Sequence, residues 1–425
     1  MGHFAVVAPP LYSHFHALQA LAQTLLARGH RITFIQQADA RPLLSDERIS
    51  FVAVGEQTHP VGSLSAGLQR LAAPGGLSLF RVIRDLAAAT DMLCRELPAV
   101  LKNLNVDGVI ADQMEAAGGL VAEALGLPFV SVACALPVNR EPGIPLAVMA
   151  FRYGEDAKAL KRFRASSDMY DRIMRHHGNV IARHARAFGL PERHGLHQCL
   201  SPLAQISQLV PAFDFPRQQL PACFHAVGQL RVDSAPGMLP APWPALRQPV
   251  VYASLGTLQG RRFRLFMRLA RACRNQRLSL VIAHCGGLNA RQVHQLELAG
   301  AAWVTDFVDQ RAALQHAQVF VTHAGLNSAL EALECGTPML ALPIAFDQPG
   351  VAARIEWHGV GRRASRFSRV AVLEKYLQQL LNDPHYRLRM SAMQAQLKRA
   401  GGCARAADIV EQALCRQQIV LAEAT

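Results

Sequence analysis

Between residues 320 and 350 the chain reads FVTHAGLNSALEALECGTPMLALPIAFDQPG. A β-rich apolar run ends at His323, Gly325 follows, and Asn327, Ser328 and Glu331 fall in the first turns of a segment with helical spacing. The N–H groups at a helix start carry partial positive charge and attract phosphate. Gly325 permits close approach to the backbone, and His323 and Ser328 add side-chain donors. Glu331, one turn into the helix, can accept hydrogen bonds from a ribose diol. Together these residues can hold a diphosphate without a metal. The same letters also describe a capped helix beneath a hydrogen-bonded strand-end histidine. Taken alone, the stretch leaves both readings open.

The elements that must position these residues alternate in type. HFAVVAPP predicts a strand, HALQALAQTLLARG a helix ending at Gly29, and HRITFIQQ a second strand. This βαβ opening implies a parallel sheet. The same grammar returns in VDGVIADQ, AAGGLVAEALG and LPFVSVACALP. Residues 61–98 are rich in Leu, Ala and Gly and read as helical with loops, and basic helices occupy roughly 155–190. The proline-dense stretch 216–249 reads as a linker over the surface. A second α/β series then begins with VVYASLGT and continues through LSLVIAHCGG, VFVTHAG and PMLALPI. CARAADIVEQALCRQQIVLAE closes the chain as an expected amphipathic helix. The fold class is therefore α/β, with two Rossmann-like doubly wound domains facing a central cleft. The order of elements predicts an N-terminal domain over 1–230, a linker over 231–249, a C-terminal domain over 250–405, and over 406–425 a helix packing back on the first domain.

Composition removes several classes. Hydrophobic residues are 51% and charged residues 18% of 425, which permits large cores and argues against disorder. No apolar run is long enough to span a bilayer. MGHFAVVAPP has no basic leader before its apolar run, so a cytoplasmic location is expected. Nine scattered cysteines without CxxC spacing read as free thiols, and no zinc site is expected. The first strand runs into APPLYSHFHA rather than G-x-G-x-x-G, and no Walker lysine loop is present, which argues against nicotinamide oxidoreductases and P-loop enzymes. A net charge of +13 is concentrated in 158–194 and 260–277. Those runs have helical spacing without interleaved aromatics, so a solvated face or an anionic membrane surface fits better than nucleic acid.

The block 307–361 closely resembles the nucleotide-sugar signature of the family 1 UDP-glycosyltransferases, which runs W-x-P-Q, H-x-G-x-N-S-x-x-E, G-x-P and P-x-x-x-D-Q. His323, Gly325, Asn327, Ser328, Glu331, Gly336, Pro338, Pro343, Asp347 and Gln348 match it. The resemblance implies a GT-B fold and a role for each position. Phe307 would stack on uracil, and Val308 and Gln310 would sit at the base and ribose. His323, Gly325, Asn327 and Ser328 would hold the diphosphate, Glu331 the ribose, and Asp347 with Gln348 the sugar. Ser254 and Thr257, in SLGT, would contact phosphate or sugar. Two positions depart from the pattern: Phe307 replaces tryptophan with stacking preserved, and Leu326 stands where plant members often carry a tryptophan near the sugar.

The N-terminal segment YSHFHALQALAQTLLARGHRITF also resembles the family, whose catalytic histidine lies sixteen residues before the histidine of RGH. Counting back from His30 selects His14, leaving His16 as a first-turn helix residue and His30 as a structural residue on the surface. Asp112, ending VDGVIAD, occupies the position of the family's orienting aspartate. The resemblance implies a metal-independent, inverting transfer from UDP-glucose, with His14 as base and Asp112 as its partner. It runs nearly end to end with carotenoid-modifying bacterial members, which implies zeaxanthin or a similar carotenoid as acceptor and a peripheral membrane contact through the basic helices. The acceptor half of the cleft is expected from 56–85 and 135–175. A macrolide, flavonoid or sterol acceptor remains an alternative, as do a sugar-nucleotide epimerase and a non-catalytic carotenoid carrier.

Overall fold

The structure is a computed structural model that describes residues 1–72, 75–232 and 243–422. Its first sheet contains β1 (His3–Val7), β2 (Arg31–Gln37), β3 (Ser50–Val54), β4 (Gly108–Asp112), β5 (Phe129–Ala133), β6 (Gln205–Ser207) and β7 (Phe224–Ala226). They are ordered β3-β2-β1-β4-β5-β6-β7, with every pairing parallel. The second contains β8 (Val250–Ser254), β9 (Ser279–Ala283), β10 (Ala301–Thr305), β11 (Val319–Thr322), β12 (Met339–Ala341) and β13 (Gly361–Arg363). Its order is β10-β9-β8-β11-β12-β13, again all parallel. Both sheets reverse their winding beside the first strand, between β1 and β4 and between β8 and β11. In such sheets ligands bind outside the carboxyl ends of the strands at the reversal.

The apolar runs read as strands because helices cover both faces of each sheet. Along β1, Phe4 and Val6 pack on one face with Phe15, Leu18 and Phe34, while Ala5 and Val7 pack on the other with Leu97, Leu120 and Ile181. In the second sheet, Tyr252 stacks on Phe320 at 5.2 Å on one face, and Val251, Leu269 and Val321 fill the other.

Three sequence expectations are corrected. The stretch 216–249 is not wholly a surface linker: β7 lies within it, and Cys223, His225, Val227 and Leu230 are buried. Its prolines bound a short edge strand, a position proline tolerates. Of the expected linker 231–249, residues 233–242 lie outside the described residues. The last helix spans Gly402–Cys415 and does not reach 423. Gln417 adopts a positive φ of 51°, and the following residues pair with the first domain, Val420 N donating to Leu203 O (2.9 Å) and Ala422 N to Ala222 O (2.7 Å). Residues 423–425, the end of the segment 406–425, lie outside the described residues. Ala406, Ile409 and Val410 of this helix pack with Phe4, Leu18 and Leu21 beneath the first sheet. His30 is buried rather than on the surface: Gly2 N donates to its Nδ1 at 3.0 Å, and its Nε2 lies 2.9 Å from Glu411 of this helix.

One buried ion cluster ties the two sheets' layers together. Arg354, in helix Gln348–Trp357, is 1% exposed and donates through Nε and Nη2 to Asp214 Oδ1 at 2.9 and 2.7 Å. Arg217 Nε donates to Asp214 Oδ2 at 2.6 Å, and Arg354 stacks 4.2 Å over the Phe215 ring. Burial would raise the Asp214 pKa, but the two guanidinium groups outweigh it and hold the carboxyl below its usual range. Removing one member of such a cluster strands the others without their countercharge. Asp214→Ala is therefore expected to cost about 3–5 kcal/mol and to lower the midpoint of thermal unfolding. Arg354→Met costs less, because Arg217 still pairs with the carboxylate; equal destabilisation would contradict this account.

Candidate active site

The carboxyl ends of the two sheets face each other across a cavity of about 1570 Å³. On the first-domain side, helix Tyr12–Ala27 follows β1 and carries His14 in its first turn. Asp112 ends β4, the neighbouring strand across the reversal. His14 Nδ1 lies 2.6 Å from Asp112 Oδ2, with both residues buried, and Asp112 Oδ1 accepts from Met114 N at 2.9 Å. Burial alone would lower the His14 pKa. The charge and hydrogen bond of Asp112, with the charge of Asp347, outweigh that and raise it above 6.5. His16, two residues on, is exposed at the cavity's edge, where its ring stacks on Tyr12 at 5.7 Å.

Cys134 stands beside this pair, with its sulfur within 4.8 Å of the His14 and Asp112 ligand atoms. Burial pushes its thiol well above its ordinary pKa, so it is protonated, and it contacts His14 O at 3.9 Å.

Across the cavity, β11 ends at Thr322 and helix Leu326–Cys335 begins after Gly325. His323 lies between two glycines. A Cβ on Gly325 would fall 2.6 Å from its Nε2, and one on Gly256, whose φ is +72°, 2.8 Å from its Cε1. Only residues without a side chain let the ring lie there. Burial pushes the His323 pKa down to about 4, and among the described residues its Nδ1 is buried without a partner. The ring is therefore neutral at physiological pH and can donate one N–H to an anionic oxygen. Ser254 ends β8 on the other side of this sheet's reversal, and Thr257 is exposed toward the cleft in the short helix that follows.

The rest of the expected donor set lines the same wall. Phe307 is 66% exposed at the rim, with Val308 half-buried beside it. Gln310 Nε2 donates to Ser328 Oγ at 3.2 Å and to Glu331 Oε2. Burial raises the Glu331 carboxyl, against the opposing pull of Gln310 and Arg231. Asp347 Oδ2 accepts from Leu136 N of the first domain at 3.1 Å. Burial raises its pKa too, while the Leu136 amide and His14 pull it down. Gln348 spends its side-chain oxygen on Ile344 N and Ala345 N, both at 2.9 Å, which leaves its amide hydrogens for a ligand. Asn327 is engaged across the cleft: its Nδ2 donates to Ser13 O at 3.2 Å and its Oδ1 accepts from Gln208 Nε2 at 2.9 Å. Every residue given a donor role above lines the cavity, as does His14, whereas Gly336, Pro338 and Pro343 of the matched signature do not; Asp112 stands directly behind His14.

Sequence reasoning did not reach Gln208, Asp214 or Arg354, which reach across between the two halves, nor the proximity of Asp347 to His14. Lone polar residues beside short strands leave no spacing pattern by which to find them. The remaining cavity wall is largely apolar, with Leu64, Leu68, Val82, Ile83, Ile144 and Ile173 among its lining, mostly within 56–85 and 135–175; Arg70, Asp85, Arg140, Asp171 and residues 194–197 also contribute.

Comparison with known proteins places this geometry. The model of the UDP-glucoronosyl and UDP-glucosyl transferase family matches residues 203–396. A zeaxanthin glucosyltransferase from Pantoea ananas is 53% identical over 422 residues, 99% of this chain and 98% of that protein. The chain belongs to the UDP-glucoronosyl and UDP-glucosyl transferase family. A second zeaxanthin glucosyltransferase, from Pseudescherichia vulneris, is 49% identical over 421 residues, covering 99% of this chain and 100% of that one. Among solved structures, the glycosyltransferase of kitacinnamycin superposes with a TM-score of 0.75 at 22% identity, covering 97% of this chain and 99% of that one. That likeness carries the fold, which is GT-B. As a member of this family the protein is a glycosyltransferase.

The two histidines are expected to titrate in opposite senses. By NMR, His14 should change protonation above 6.5 and His323 stay neutral down to about 4. In Asp112→Asn the His14 midpoint should fall, because burial then dominates. Since the folded pKa of His14 exceeds its unfolded value, the pair adds stability that is complete below pH 6.5 and lost as the pH rises through the raised pKa. A His14 midpoint unmoved by Asp112→Asn would contradict the pairing.

Proposed function

We propose that the protein transfers glucose from UDP-glucose to the ring hydroxyls of zeaxanthin, giving the mono- and then the di-β-glucoside. The observation that carries this reading is the paired His14–Asp112 facing a helix-start cradle across one cavity. The half-identical zeaxanthin glucosyltransferases support the choice of acceptor.

In this reading His14 removes the proton from an acceptor hydroxyl, and Asp112 stabilises the imidazolium that forms. Asp112 holds Nδ1, so Nε2 is the nitrogen that receives the proton. The acceptor oxygen attacks the anomeric carbon as the bond to the diphosphate breaks, and a single displacement inverts an α-linked donor to a β-glucoside. Charge developing on the leaving diphosphate meets the N–H groups that open helix Leu326–Cys335, with neutral His323 and Ser328 beside them. Asp347 and Gln348 orient the sugar, Glu331 the ribose, and Phe307 the base. No metal has a role in this account, because the diphosphate is neutralised by dipoles and donors already in place.

The acceptor lies against the apolar wall. Helix Ala157–Ala187 forms part of it, with Tyr170, Ile173 and Met174 facing the cavity. Its outer side exposes Lys158, Lys161, Arg162, Arg164, Arg172 and Arg175, with Met169 52% exposed among them. Among the described residues no helix is long and apolar enough to cross a membrane. A basic face with an apolar contact beside the acceptor wall fits peripheral docking on anionic lipid, from which a carotenoid about as long as a bilayer core, ~30 Å, would be drawn.

Two measurements test this reading. Zeaxanthin with UDP-glucose should yield β-glucosides, with UDP released only when acceptor is present, and His14→Ala should lower kcat by about 10²-fold or more. A higher rate with a macrolide, flavonoid or sterol would reassign the acceptor, and an undiminished yield from His14→Ala would remove the proposed base. Neutralising Arg162, Arg164, Arg172 and Arg175 together should weaken sedimentation with anionic vesicles while leaving turnover of detergent-dispersed acceptor intact. Salt-insensitive vesicle binding unchanged by these substitutions would refute docking through this face.

A further inference from the structure

Gln208 follows β6 and is completely buried. Its side-chain oxygen accepts from Leu230 N at 2.8 Å, and its Nε2 donates to Cys134 O at 3.1 Å and to Asn327 Oδ1 at 2.9 Å. A backbone N–H can only donate and a backbone carbonyl can only accept, so these two partners leave the Gln208 amide a single orientation. That orientation dictates the next one. Asn327 must turn its oxygen to Gln208, and its Nδ2 then faces Ser13 O at 3.2 Å. Ser13 directly precedes His14, and Cys134 packs behind the His14–Asp112 pair. Asn327 sits in the first turn of helix Leu326–Cys335. One of its two amide hydrogens goes to Ser13 O, and the other is left for the donor.

We propose that Gln208 is a positioning residue that acts through Asn327. By imposing the orientation of the Asn327 amide, it locks the donor-binding helix start to the backbone that carries the base. The inference rests on the reading of this helix start as the donor diphosphate site. Without the Gln208 amide, the Asn327 side chain is free to rotate its oxygen toward Ser13 O, where two acceptors repel. The helix start and the first turn bearing His14 then lose their shared register. The expected loss is in turnover and donor affinity, while acceptor affinity is untouched, because the apolar wall lies elsewhere.

The test is a double-mutant cycle on the full-length protein, with Gln208→Leu and Asn327→Ala made singly and together. Gln208→Met, closer in length and shape, serves as a second probe should Gln208→Leu fold poorly. In the wild-type background, loss of the Gln208 amide should lower kcat on the order of tenfold and weaken UDP binding, read by calorimetry, with the acceptor KM unchanged. In the Asn327→Ala background the same change should alter kcat by less than about twofold, because the residue it acts through is gone. Equal losses in both backgrounds, or a folded Gln208→Met with wild-type kcat and UDP affinity, would overturn the inference alone. A wild-type protein that binds no UDP would overturn the donor reading as well.

Discussion

The contact between His14 and Asp112 depends on one topological constraint. The two residues are 98 positions apart, and they meet because β1 and β4 are adjacent at the point where the sheet reverses its winding. At that point the helices leaving neighbouring strands depart to opposite faces and open a crevice at the carboxyl edge. The second sheet repeats the device, placing Ser254 and Gly256 after β8 beside His323 after β11. A histidine paired with a carboxylate and a histidine lodged between two glycines thus stand at equivalent places in two similar sheets. The cavity exists because the two edges face each other.

Electrostatics then sets two cavity-lining histidines apart. Burial disfavours the charged imidazole in both. At His14 the neighbouring carboxylates more than compensate, so the ring can accept a proton and be stabilised when it does. At His323 no carboxylate intervenes, and the ring stays neutral between Gly256 and Gly325. A donor to an anion gains from that, since a fixed neutral ring requires no counterion when the site is empty. Asp347 belongs to both halves: it accepts the Leu136 amide of the first domain and adds its field to His14. The interface is also held by the Asp214–Arg354–Arg217 cluster, whose charges are expensive to bury and are paired with one another, and by Leu136, Leu209, Val210 and Phe213 of the first half packing into the core of the second.

Much of this was legible from the chain. The alternating strands and helices follow from apolar runs, whereas the donor block 307–361, His14 and Asp112 were picked out by their resemblance to the family's motifs. The segments that misled were those where local signals compete with tertiary pairing. Prolines in 216–249 conceal β7, a three-residue edge strand whose partners come from β6. His30 reads as a surface residue ahead of a strand, and is buried because the helix Gly402–Cys415 returns from the other end of the chain to cover it.

The sequence by itself determined the chemistry on offer: a helix start with a bare glycine, a histidine and a carboxylate at fixed intervals, and a second histidine one strand into the chain. Such features depend on neighbours a few residues away, so their spacing carries them. Only the tertiary structure decided which groups meet across the cleft. That Asp347 lies near His14, that Gln208 donates to Asn327, and that Arg354 pairs with Asp214 are facts about side chains more than a hundred residues apart. A single glutamine or aspartate in a sequence carries no mark of its partner, because hydrogen-bond geometry is set by the packing of two sheets whose relative placement no local pattern encodes.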